Sequence, residues 1–120
     1  MKKHIAFSGA LAVALGALGA HALKEVLEPS SLESYQVAVF YHLVHTLAIL
    51  AVVQGNYIKL TVWLWTSGIL LFSGSIYLLA VDELLGINLS FIGPITPIGG
   101  LLFIAGWCSL IFSSNTNVDK

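Results

Sequence analysis

The chain has no arginine, one cysteine and very little charge: 9% of its 120 residues are Asp, Glu, Lys or Arg. Without arginine, a rigid guanidinium fork cannot capture phosphate or carboxylate in a bidentate grip. A lone cysteine, Cys108, rules out an intrachain disulfide and any multi-thiolate metal site. It reads as a packing residue in an apolar helix, because a reactive thiol needs an electropositive, accessible setting. Net charge is −1, so there is no basic face for nucleic acid. Soluble domains carry about 25% charged residues. Here Lys59 is the one formal charge between Glu33 and Asp82, and none occurs from Leu84 to Val118. A water-soluble surface cannot be built from such a chain.

Apolar residues take the place of charge. They make up 58% of the chain, and the mean hydropathy is +0.92. A hydrocarbon layer of ~30 Å takes ~20 helical residues to cross. Short polar patches cut the chain into four runs of about that length. The expected architecture is an all-α membrane protein, a four-helix transmembrane bundle forming one domain over 1–120, with spans about 5–23, 33–53, 60–81 and 97–112.

The first run follows Lys2 and Lys3. A basic start, an apolar middle and Ala20-His21-Ala22 could also mark a cleaved signal peptide. Its small residues argue for retention. Ala6/Ala10, Ala12/Gly16 and Gly16/Ala20 recur at four-residue spacing, which lets transmembrane helices approach closely. Gly9, Gly16, Gly19 and Ala20 are the predicted packing residues. Pro29 breaks the chain, and Ser30 with Glu33 forms a capping-box pattern that starts a second helix near Ser31. Gln54-Gly55-Asn56-Tyr57 is a polar turn. The third helix runs from about Leu60 to Val81 and ends at Asp82-Glu83. The stretch 82–96 reads as a loop on or in the membrane interface. Thr96 caps the fourth helix, with Pro97 as its first residue. Lysines near the spans place both termini in the cytoplasm, with Trp63 and Trp65 at that interface.

Histidines mark a polar seam. His42 and His45 lie inside the second span three residues apart, so they share a helix face with Tyr35, Ala38, Ile49 and Val52. His21 ends the first span, and Asp82 and Glu83 end the third. The predicted polar site is His21, His42, His45, Tyr41 and Asp82 in the outer half of the bundle. Ionisable groups inside a membrane mark function by default. Three chemistries fit: hydrogen bonding between helices, a proton relay, and metal or haem ligation, for which H-x-x-H is a loose pattern. Ser67, Ser73, Ser75 and Tyr77 put hydroxyls along the third helix, where they satisfy carbonyls or neighbouring helices. No catalytic residue, cofactor or metal ligand is assigned. The reading is a non-enzymatic structural or partner-binding component. A small transporter or proton-coupled channel and a haem- or metal-binding redox subunit are the alternatives. Expected partners are the lipid bilayer and a second copy or another membrane protein.

Several segments carry a resemblance. Gly16-Ala17-Leu18-Gly19-Ala20-His21-Ala22-Leu23 resembles the GAxGAHxL signature of a small bacterial inner-membrane family, domain of unknown function 423, itself similar to human transmembrane protein 256. Tyr41-His42-Leu43-Val44-His45-Thr46-Leu47-Ala48 resembles its Y-x-x-x-H-x-L-A segment. Gly74–Ala80 and Gly93-Pro94-Ile95-Thr96-Pro97-Ile98-Gly99-Gly100 resemble its later motifs. The resemblance implies a multi-pass protein of the bacterial inner membrane with four spans and a retained first helix, and it implies no activity. His21 and His45 fall on motif histidines. His42 stands where the family pattern has Gln, so the resemblance does not support a metal pair.

Overall fold

All four apolar runs form helices. A computed structural model describes residues 1–116. α1 spans Lys2–Ala20, α2 Pro29–Val52, α3 Lys59–Gly68, α4 Gly74–Val81 and α5 Ile95–Thr116. A π-helical segment, Ile69–Ser73, joins α3 and α4 into one rod. Single 3₁₀ turns at Leu23–Glu25 and Ser90–Ile92 follow α1 and precede α5. Four stretches are long and apolar enough to cross a membrane: Lys2–Glu25, Pro29–Val52, Lys59–Val81 and Ser90–Phe112.

Two helix starts differ from expectation. Pro29 begins α2 instead of breaking the chain, and Glu28 before it is extended. A proline at the first position gives up an N–H that has no helical partner anyway. Ser30 therefore lies inside the helix and caps nothing. α5 begins at Ile95, so Pro97 is its third residue. That is still within the first turn, whose N–H groups are free. The Thr96 hydroxyl bonds Ser75 on α4 instead of capping α5. The π segment is the third difference. Gly99 of α5 lies so close to the backbone of Leu71 and Phe72 that an added Cβ would collide with it.

Each helix buries a narrow stripe. α1 buries Ile5, Ala12 and Gly19, spaced by seven, against α2. Gly9, Gly16 and Gly19 all face α2, where Cβ atoms would meet Thr46, Val39 and Tyr35. Ala20 is exposed, and Ala12 is the fully buried alanine of the stripe. α2 buries Tyr35, Ala38, His42, His45, Thr46 and Ile49, and packs on α1 and on the α3–α4 rod. The rod in turn packs on α5. Its close contacts are Gly68 against Phe103 and Gly106 against Trp65. Trp65 is fully buried and belongs to the core, not to an interfacial belt, while Trp63 is exposed.

The buried apolar residues form two clusters. Ile5, Ile49, Trp65 and Phe103 fill the end that carries both helix termini, α1's start and α5's finish. Leu23, Tyr35 and Ala80 fill the opposite end. Between them lies a belt of polar side chains: His42, His45, Thr46 and Ser73 are all buried. Outward-facing positions are apolar; Phe40, Leu70 and Leu101 are each about two-thirds exposed, at 64%, 67% and 65%. A monomer in water does not tolerate so much contiguous apolar surface. Lipid is the solvent this exterior fits.

Candidate functional site

His42 lies at the centre of a four-membered hydrogen-bond chain. Its Nδ1 is 2.9 Å from the Tyr77 hydroxyl of α4, and its Nε2 is 3.0 Å from Ser8 Oγ of α1. Ser8 Oγ is also 2.8 Å from Thr46 Oγ1. Thr46 donates to the His42 carbonyl at 2.8 Å. That last bond sets the direction of the rest, because a carbonyl only accepts. The Thr46 proton is spent on it, so Ser8 donates to Thr46. Ser8 must then accept from His42, which carries its proton on Nε2, and Tyr77 donates to Nδ1. The chain therefore runs Tyr77 to His42 to Ser8 to Thr46 and ends on the backbone of His42 itself.

His45 turns toward α5. Its Nδ1 donates to the Tyr41 carbonyl at 2.8 Å. Its Nε2 accepts from the Trp107 indole N–H at 3.0 Å. Both partners permit one role only, so His45 is neutral with its proton on Nδ1. Aromatic rings enclose it. Phe103 stacks on the imidazole with centroids 3.7 Å apart and planes within 15°. Tyr41 lies near-parallel at 5.9 Å, and Trp65 and Trp107 meet it edge-on. Trp65 Nε1 bonds the Phe103 carbonyl. His45 thus knots α2 to α5, as His42 ties α2 to α1 and α4.

The predicted site residues separate into four places. His42 and His45 share the buried side of α2 but serve different neighbours. Both lie near mid-helix on α2, and His45 is nearer to Val52 than to Pro29. His21 ends α1 and is exposed. Asp82 accepts a bond from the Leu89 N–H at 3.1 Å and closes the 82–89 loop, where Gly86 takes a left-handed φ of 70°. Neither joins the histidines. No group of three His, Cys, Asp or Glu able to hold a metal occurs among the described residues. Sequence reasoning missed Ser8, Thr46, Phe103 and Trp107. Ser8 was legible, lying three residues after Ile5 and four before Ala12 on the same stripe.

A cleft opens where α1 and the α3–α4 rod stand apart over α2. It has a volume of about 310 Å³, with His42, Ser8, Thr46 and Tyr77 on its floor and Leu11 and Leu70 among its walls. A shallower groove lies on the other side of α2, lined by Tyr41, His45, Phe72, Pro97, Gly100 and Ile104, among others.

Comparison with known proteins gives a consistent answer. The model of a family described as "Protein of unknown function (DUF423)" matches residues 15–100. The chain is 42% identical over 115 residues to a "UPF0382 membrane protein" of Haemophilus influenzae, covering 92% of this chain and 89% of the relative. It is 37% identical to the "UPF0382 inner membrane protein YgdD" of Escherichia coli K12, covering 88% and 82%. It is 35% identical to the "UPF0382 membrane protein YwdK" of Bacillus subtilis, covering 91% and 90%. No solved structure matches. Four apolar spans, the glycine-lined α1–α2 contact and these relatives agree: the chain is an integral membrane protein and belongs to the DUF423 family.

Proposed function

We propose that this protein is a non-enzymatic, partner-binding component of the bacterial inner membrane, with both termini in the cytoplasm. Tyr41 carries the reading. Tyr35 bonds the Leu15 carbonyl, Tyr57 reaches Met1 and Tyr77 bonds His42. Tyr41 lies midway along α2, is 39% exposed, and its hydroxyl has no partner among the described residues. A hydroxyl left unbonded in hydrocarbon costs roughly 2–7 kcal/mol, and a tyrosine at that depth is too short to reach the interface. A second transmembrane helix laid in the Tyr41 groove supplies the missing bond. Gly100 in the groove allows the close approach such packing needs.

The use of the histidines supports a structural role for them. Every ring nitrogen of His42 and His45 is bonded to a protein partner. A metal or haem would have to displace Trp107, Ser8 or Tyr77. A relay is poorly served, since the His42 chain closes on its own backbone.

A photo-crosslinking residue in place of Tyr41, activated in native membranes, tests the proposal. It should capture a discrete adduct, and differently tagged copies tell self-association from a foreign partner. A yield no higher than from the lipid-facing position Leu47 would remove the proposal. Orientation is tested separately with Lys120→Cys, which should react with an impermeant maleimide in inverted vesicles and not in intact cells.

A further inference from the structure

The cleft between α1 and the α3–α4 rod stands apart from the Tyr41 groove, and its chemistry is more specific than an apolar gap. Its volume, about 310 Å³, is at the low end of the ~300–1,000 Å³ usual for small-molecule sites. It suits the head and first segment of a longer molecule whose remainder lies in the bilayer. The walls are apolar, among them Leu11, Leu15, Ile69 and Leu70. The floor is polar, and its polarity is directional.

Each hydroxyl proton of the floor is already used. Thr46 donates to the His42 carbonyl, Ser8 to Thr46, and Tyr77 to His42 Nδ1. The His42 Nε2 proton goes to Ser8. What remains on the floor is lone pairs, one on Ser8 Oγ and others on the Tyr77 oxygen. Both atoms belong to half-buried residues lining the cleft. The floor therefore offers acceptors and no donor. A molecule that presents an O–H completes it. One that presents only a carbonyl or ether oxygen meets lone pair with lone pair, unless the whole chain reverses and Thr46 abandons its carbonyl. Thr66 and His4, both exposed, also line the cleft and take no part in this chain.

We propose that this cleft is a binding site for a hydroxyl-bearing, membrane-soluble amphiphile of the long-chain alcohol class, which donates its O–H to Ser8 or Tyr77 and lays its apolar body along Leu11 and Leu70. The site is entered sideways from the lipid.

The test uses the full chain in phosphatidylcholine nanodiscs. A diazirine-tagged long-chain alcohol is photolysed in parallel with its methyl ether and the matching ketone, at equal membrane mole fraction, and labelled residues are mapped by mass spectrometry. The alcohol should label Leu11 and Leu70 about fivefold more than either analogue, the ratio one net hydrogen bond provides. Excess untagged alcohol should compete it away. Tyr77→Phe and Ser8→Ala should each narrow the ratio, and Leu11→Trp, which fills the cleft, should abolish cleft labelling. Equal labelling by all three probes would reduce the site to ordinary acyl contact and overturn the proposal. Preference for the ketone would overturn the direction of the chain. With photo-leucine in place of Leu11 and no probe present, a cross-link to a second protein copy would show that a helix occupies the cleft, and would also overturn it. The alcohol-to-ether ratio is read on the unmodified chain, so a poorly folding variant does not blunt the result.

Discussion

His42 and His45 are three residues apart on one helix, yet their partners give them different chemistry. His45 sits between a carbonyl that can only accept and an indole that can only donate. Adding a proton to Nε2 would set N–H against N–H, so the Trp107 bond requires a neutral ring. His42 sits between two hydroxyls, which can adapt to either ring state. Isotope-labelled histidine should therefore show two tautomers by nitrogen NMR in detergent or bilayers: proton on Nδ1 for His45 and on Nε2 for His42. The same tautomer at both positions would refute the partner assignment. Energetics follow from the same bonds. Trp107→Phe leaves a buried acceptor unpaired, at a cost of roughly 1–3 kcal/mol. Adding His45→Phe removes both partners, so the double variant should lose less than the sum of the singles. Hydrogen bonds between membrane helices couple by about 0.6 kcal/mol on average and by about 1.7 at most. Unfolding titrations in mixed micelles would measure it, and strict additivity would mean the bond contributes nothing.

The third span shows how an element can be bent to serve two neighbours. A continuous α-helix over the same residues would turn Gly74–Val81 by roughly 100°, one residue's rotation. Tyr77 would leave His42, and Ser73 would lose the Ala38 carbonyl it bonds at 2.8 Å. π segments recur at functional sites for this reason. Gly99 lets α5 close on the segment, its backbone lying against that of Leu71 and Phe72. Gly99→Ala should cost about 1–3 kcal/mol as overpacking, since backbone cannot move aside as a side-chain tip can. Gly9 is the control. A Cβ there would meet only Thr46 Cγ2, at an ordinary 3.7 Å. Gly9→Ala should be neutral or stabilising by up to about 1 kcal/mol, the helix-propensity difference. Thermal unfolding of the two variants in one detergent should rank them in that order. The reverse ranking would mean that α1–α2 packing, not the π contact, is the tighter constraint.

At the level of the whole molecule, two apolar clusters are separated by a polar belt, and an apolar exterior faces lipid. Tyr41 is a break in that exterior. Tyr41→Phe should leave the fold intact and weaken association between chains, or with a partner, by about fivefold, the value of one hydrogen bond. Energy transfer between labelled chains in liposomes would detect the change for self-association, and co-purification would detect it for a foreign partner. No change in either would leave the groove without a role. Much of this architecture was legible from the sequence. The missing charge and the run lengths specified a helical membrane protein with four spans, because hydrocarbon forces backbone groups to bond within helices. Four-residue spacing of small residues marked a close-packing face on α1, and three-residue spacing marked the buried face of α2, histidines included. Local patterns could not locate the π turn, against which Gly99 of another helix packs. Nor could they tell that His21 and Asp82 stay outside the polar belt, or that His42 and His45 face different neighbours. Spacing along one helix reports which face is buried and is silent on what lies against it. The direction of the hydrogen-bond chain, and with it the chemistry of the cleft, arose only when Ser8, Thr46 and Tyr77 met His42 from three segments of the fold.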